Sequence, residues 1–121
     1  MRIALNLKNL PYESLPIHLL NDEQREPAFR AINPQGFVPM LVDGKHAITQ
    51  SLAICEYLDE THPAPPFLPA TPIERARVRA IALVVACDIH PLNNKRILDY
   101  LRAPLGHYQA TVDAWYKHWV D

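Results

Sequence analysis

Glycine is nearly missing from this sequence: there are three in 121 residues, against twelve prolines. So little glycine leaves few positions where the backbone turns left-handed without steric cost. Cysteine is scarce too, represented by Cys55 and Cys87 alone. The two lie far apart, show no metal-ligand spacing and fall inside predicted helices, which argues against a disulfide scaffold or a zinc site. Both read as small buried apolar residues of a reducing compartment. Neither sign of charge dominates, since thirteen acids against twelve bases leave a net charge of −1. That balance offers no footprint for nucleic acid or an anionic membrane. No apolar run approaches the length of a membrane span. The start, from Met1 to Lys8, faintly imitates a signal peptide, but Asn6 breaks the run and no small-residue cleavage site follows. The expected location is the cytoplasm.

What is present fits a soluble globular chain of ordinary domain size, 49 % hydrophobic. Five of the prolines fall between Pro63 and Pro72, which marks a linker. The chain is therefore expected to divide into residues 1–66 and residues 71–121. Met1–Leu10 reads as a helix with Ile3, Leu7 and Leu10 on one face and Ala4 beside them. Tyr12–Leu20, with Leu15, Ile17 and Leu19 on one side, reads as a strand. Asn21–Glu26 is a polar loop, and Pro27–Ile32 a short helix with proline at its first position. A hairpin follows, with strands Met40–Val42 and His46–Thr49 around a turn at Asp43-Gly44. Ser51–Thr61 is an amphipathic helix burying Ala53, Ile54, Tyr57 and Leu58, and Pro63 stops it.

The linker His62–Ala70 carries Phe67 and Leu68, expected to pin it to the surface between the domains. Thr71-Pro72-Ile73-Glu74 is a well-formed helix start, with a threonine cap and a glutamate three residues on. That helix is expected to bury Val78, Ile81, Ala82, Val85 and Ile89, and to bend near Cys87 because of Pro91. Helical pattern resumes from Leu92 to Leu101, breaks at Pro104-Leu105-Gly106, and returns from about Tyr108 to the end. Trp115 and Trp119 stack there at i, i+4. A helix at the first residue and an uncapped, tryptophan-rich helix at the last make both ends read as cut.

Two stretches could carry chemistry. In the first, Ser51 sits at a helix start, whose unpaired N–H groups and positive dipole end suit a carboxylate. Just upstream, Val38-Pro39 is an X-Pro bond of the kind that can be cis. An ordinary edge hairpin followed by a capped helix accounts for the same residues. In the second stretch, His90, Asn94, Lys95 and Arg96 surround the bend at Pro91. Arginine can clamp a carboxylate with two parallel hydrogen bonds. A solvated helix face and a core histidine are the plainer alternative. His18, His46, His62, His107 and His118 show no metal spacing and no nucleophile partner.

Val38-Pro39, followed after a hairpin by Gln50-Ser51, resembles the glutathione site of the glutathione transferase superfamily. The phrases Arg2-Ile-Ala-Leu-Asn-Leu-Lys8, Asn33-Pro-Gln-Gly-Phe-Val-Pro39 and Thr49-Gln-Ser-Leu-Ala-Ile54 narrow the resemblance to the zeta class. Cys87-Asp-Ile-His-Pro-Leu-Asn-Asn94 narrows it again, to the class's bacterial maleylacetoacetate and maleylpyruvate isomerases. The resemblance implies an α/β thioredoxin-like N-terminal domain lacking its first strand, then a truncated all-α C-terminal domain. It implies that Gln50-Ser51 hold the γ-glutamyl carboxylate of glutathione and that Val38, ahead of Pro39, pairs with its cysteinyl backbone. Gln24 matches a position reaching the glycyl end. His90, Asn94, Lys95 and Arg96 match the side that faces a small dicarboxylate substrate.

The implied reaction is glutathione-dependent cis–trans isomerisation of maleylacetoacetate, in aromatic amino-acid breakdown, by a homodimer. Isomerisation of maleylpyruvate and a non-catalytic glutathione-binding or dimer-forming module are the alternatives. The class activates the thiol with a serine-rich motif at the start of its first helix. The resemblance places that motif upstream of Met1, on a segment of roughly fifteen residues that also carries the first strand. No catalytic residue is assigned in this chain, and as written it is expected to fold poorly or lack activity.

Overall fold

In the computed structural model, which describes residues 1–120, the first element is a short helix, α1 (Arg2–Leu7). It ends because Asn9 turns left-handed, at φ +53. The Leu10 N–H then reaches back to the Leu5 carbonyl and the Asn9 N–H to that of Asn6, both at 3.0 Å. This is the Schellman ending, with asparagine in its usual left-handed place. The helix is thus shorter than its apolar pattern predicts, and it is turned. Ala4, Leu5 and Lys8 are buried, whereas Ile3 and Leu7 face solvent.

The expected strand over Tyr12–Leu20 does not form. Residues 11–18 are irregular, and a 3-10 turn covers Leu19–Asn21. A strand needs a neighbour to complete its hydrogen bonds, and no strand among the described residues pairs with this segment. Pro16 removes a ladder donor from its middle as well. The polar stretch after it is compact, with a second 3-10 turn at Glu23–Arg25. Helix α2 (Pro27–Ile32) follows with the predicted bounds and buries Phe29.

Strands β1 (Met40–Asp43) and β2 (His46–Thr49) form a two-stranded antiparallel sheet. Asp43 pairs with His46, so the loop is Gly44-Lys45, one residue later than the Asp-Gly signal placed it. Gly44 has φ +56, and a glycine at the first loop position is what a type II′ turn demands. Helix α3 (Ser51–Thr61) has the predicted bounds. Its Ile54 and Leu58 meet Ala4 and Leu5 in the core, and Leu41 and Ile48 pack against them from opposite strands. Ala53, expected inside, is exposed. Tyr57 is half-buried because its hydroxyl reaches out to Asp43 Oδ2 at 2.6 Å.

The chain forms two compact units, Met1–Leu68 and a second from Pro69 onward. In the second, α4 (Pro72–Leu83) starts at the predicted cap. The Thr71 hydroxyl accepts from the Glu74 N–H at 3.4 Å and donates to the Glu74 carboxylate at 2.6 Å. Its apolar stripe is a correction: Val78, Ile81, Val85 and Ile89 are all exposed and only Ala82 is half-buried. The periodicity is real, but no described element covers that face. Cys87 is exposed too, and Cys55 half-buried, so neither is the fully buried thiol expected.

The bend near Cys87 takes the form of a π-helical turn over Val84–Ile89. Pro91 lies just beyond it and cannot donate to the ladder. Regular helix resumes later than predicted, at α5 (Lys95–Arg102), because Asn94 caps it. Helix α6 (Gln109–Val120) closes the unit, with Val112 its fully buried side chain and the Trp115 and Trp119 rings 5.8 Å apart.

Candidate functional site

The hairpin register assembles the first constellation. Met40 pairs with Thr49, so the residues just before Met40 and just after Thr49 leave the sheet at the same end. Those residues are Val38-Pro39 and Gln50-Ser51. The Val38–Pro39 bond is cis. Val38 is exposed, and its N–H has no hydrogen-bond partner among the described residues. Across the ladder, Gln50 has φ +71 and ψ +118, a conformation open to glycine but strained for a residue with a Cβ.

The Gln50 carbonyl accepts the first helical bond, from the Ile54 N–H at 3.0 Å. The N–H groups of Ser51, Leu52 and Ala53 precede the ladder, and no side chain caps the helix. Ser51 and the Gln50 side chain are exposed. A free peptide edge and an uncapped helix start therefore lie side by side, suited to an extended peptide bearing a carboxylate.

Gln24 is buried, at 8 % exposure, and so is no solvated loop residue. The 3-10 turn after left-handed Asp22 draws it in, and its Nε2 donates to Asp22 Oδ1 at 3.0 Å. Its Oε1 is buried without a partner. The Gln24 backbone also fixes the neighbouring loop: a Cβ on Gly36, where φ is +66, would lie 2.9 Å from the Gln24 carbonyl oxygen. Only glycine fits there.

The segment around Pro91 in the second unit sets His90 beside Asn94 and places Lys95 and Arg96 on the first turn of α5. The His90 N–H bonds the Val85 carbonyl at 2.9 Å, the five-residue span of a π turn. Its ring Nε2 lies 3.5 Å from Asn94 Nδ2. His90 is exposed, not a core residue. Asn94 Oδ1 accepts from the Arg96 N–H at 3.2 Å and so caps α5. Lys95 Nζ is paired with Asp99 Oδ2 at 2.6 Å, one helical turn further on. Arg96 is exposed on the first turn of α5.

Two further residues shape these segments. Asn93 lies between Pro91 and the cap, with both side-chain amide atoms buried and unpartnered. Asn33 is 1 % exposed and crosslinks the loop that carries Val38. Adjacent asparagines carry no periodic signal, and a single asparagine before a proline reads as a helix stop. No sequence pattern separates them from ordinary turn residues.

Comparison with known proteins gives these features a family. Residues 1–66 match the family described as Glutathione S-transferase, N-terminal domain. The chain is 50 % identical over 123 residues to a probable maleylacetoacetate isomerase of Vibrio cholerae, covering 100 % of this chain and 57 % of that one. It superposes on the holo structure of a maleylpyruvate isomerase, described as a bacterial zeta-class glutathione S-transferase, with TM-score 0.92 and 52 % identity. That match covers 98 % of this chain and 56 % of the other. A maleylacetoacetate isomerase from Methylobacterium extorquens AM1, solved with malonate and glutathione bound, matches with TM-score 0.93 and 46 % identity, covering 97 % and 55 %. The chain thus spans little more than half the length of these relatives. Its first unit carries the thioredoxin-like fold of their N-terminal domain. The chain belongs to the glutathione S-transferase family, within its zeta class.

Proposed function

We propose that this chain supplies the glutathione-binding part of an enzyme that isomerises maleylacetoacetate, a cis-unsaturated dicarboxylate, to its trans form. One observation carries the reading: the Met40–Thr49 pairing sets the free Val38 N–H beside the uncapped start of α3. Glutathione is an extended tripeptide with a free α-carboxylate at its γ-glutamyl end, and these groups complement it. Gln50 and Ser51 would hold that carboxylate, Val38 the cysteinyl backbone, and Pro39 the bend that keeps Val38 off the strand. Gln24 fits the glycyl end, since its buried, unpartnered Oε1 can accept from the glycyl peptide N–H. Bound there, glutathione would supply a nucleophilic thiol whose reversible addition lets a cis double bond rotate. In the second unit, Arg96 and Asn94 are the groups we assign to the substrate carboxylates, with Lys95 and His90 beside them. We place this activity in the cytoplasm and in a homodimer, as expected of the class, and the two unpaired cysteines suit a reducing compartment.

Maleylpyruvate is a second substrate to weigh, favoured by the 52 % identity to the maleylpyruvate isomerase structure. Titration calorimetry with glutathione, alongside ultraviolet assays of both maleyl acids, separates the readings. Turnover of one acid, dependent on glutathione, supports the isomerase and names its substrate. Glutathione binding without turnover of either acid would leave a binding module. Absence of binding would end the reading.

A further inference from the structure

Asn33 stands where α2, the turn after it and the Val38 loop meet. Its backbone N–H closes α2 on the Phe29 carbonyl at 2.9 Å, and its carbonyl accepts from the Gly36 N–H at 2.9 Å. Its side chain, 1 % exposed, points the other way along the loop. There Nδ2 donates to the Phe37 carbonyl oxygen at 2.6 Å.

The Phe37 carbonyl and the Val38 N–H belong to one peptide unit, and that unit is trans. In a planar trans peptide the C=O and N–H point in opposite directions. Whatever fixes the carbonyl therefore fixes the N–H. Held by a buried amide on one side, the unit turns its N–H away from that amide and leaves it unpaired among the described residues. The Gly36 contact with the Gln24 carbonyl restrains the same loop one residue earlier.

We propose that Asn33 is a positioning residue: by holding the Phe37 carbonyl, its side-chain amide aims the Val38 N–H at the peptide backbone of glutathione. This rests on the glutathione reading above and deepens it. The ligand then meets a donor already oriented, and little ordering entropy is lost on binding. Without Nδ2 the peptide unit is free to rotate, and the Val38 contact weakens while the carboxylate contact at Ser51 does not.

The test compares two ligands on the full-length protein and on Asn33→Ala. Glutathione uses the Val38 edge, whereas γ-glutamylmethylamide keeps the γ-glutamyl carboxylate and lacks the cysteinyl backbone. The variant should bind glutathione about tenfold more weakly, the scale of one lost hydrogen bond. It should bind γ-glutamylmethylamide within about twofold of the wild type, because the α3 start is untouched. Equal losses for both ligands, or no loss for either, would overturn the inference and leave the glutathione reading standing. A wild-type protein that binds no glutathione would overturn both. Should the variant not fold, the wild type still decides by nuclear magnetic resonance. The Asn33 side-chain amide protons should exchange slowly before ligand is added and stay in place afterwards, while the Val38 amide shifts. Fast exchange of that Asn33 amide in the free protein would overturn the proposal.

Discussion

The ammonium of Lys8 lies 2.6 Å from the carboxylate of Asp59, with none of the lysine side chain exposed and 14 % of the aspartate's. Lys8 also donates to the Pro65 carbonyl at 2.6 Å and sits 4.2 Å above the Phe67 ring centre. Asp59 accepts in addition from the Phe67 N–H at 2.8 Å. Two charges thus tie α1, the end of α3 and the proline-rich segment into one knot. Such a pair is costly to break from the carboxylate side, because the fully buried Lys8 would keep its desolvation penalty. Asp59→Ala should therefore destabilise the first unit by about 3–5 kcal/mol. Lys8→Met should cost clearly less, since methionine still packs on Phe67 and Asp59 retains the Phe67 amide. Urea unfolding at neutral pH measures both, and equal losses would contradict this asymmetry.

The same pair sets an acid limit. Burial alone would push the Asp59 carboxyl up, but the hydrogen bond and charge of Lys8, with the amides of Phe67 and Leu68, outweigh it and hold it below its ordinary value. The unfolded chain then takes up this proton at higher pH than the folded one. The contribution is fully present above the ordinary carboxylate range and is lost as pH falls through the lowered folded value. Unfolding free energy measured between about pH 6 and pH 2 should fall more steeply for the wild type than for Asp59→Asn. Parallel curves would show that Asp59 does not titrate as its surroundings require.

None of this was visible in the order of the residues. The pattern of α1 put Ile3 and Leu7 inside because an apolar period takes no account of a charge. The buried face instead follows Lys8, whose partners lie some fifty positions away. Where signals are local, the residues themselves set the element. Proline at the start of α2, the short apolar run beyond the Asp43-Gly44 turn signal and the Pro63 stop placed three elements to the residue. Tyr12–Leu20 failed because a strand is a property of its neighbour, and α4 because an apolar stripe does not say what covers it. The candidate site was half legible. Val38, Gln50 and Ser51 could be placed from a hairpin and a helix start, but the crosslink from Asn33 depends on a loop's three-dimensional path.

Gln50 is a non-glycine residue at φ +71, in a conformation costing of order 1–3 kcal/mol. Gln50→Gly should relieve that strain while adding chain entropy to the unfolded state, for a net gain of up to about 1 kcal/mol. Gln50→Ala keeps the Cβ and gains nothing. Both remove the side chain we assign to the γ-glutamyl end, so both should bind glutathione more weakly. Thermal unfolding and calorimetric titration on the pair give the two readouts. Stability of Gln50→Gly below that of Gln50→Ala would mean the backbone is not strained.

Trp115 supports the second unit's candidate residues without being one of them. Its indole Nε1 donates to the Leu92 carbonyl at 2.9 Å, anchoring the turn that carries Asn93 and Asn94 ahead of α5. Phenylalanine keeps most of the ring's packing and removes the donor, leaving that carbonyl unpaired. Trp115→Phe should therefore cost about 1 kcal/mol in stability. If the turn presents Asn94 and Arg96 to a dicarboxylate, the KM for the maleyl acid should rise while glutathione affinity stays unchanged, because Val38 and the start of α3 lie in the first unit. Steady-state kinetics with each ligand varied in turn separate the two effects. A rise in the KM for glutathione instead would place the role of this turn elsewhere.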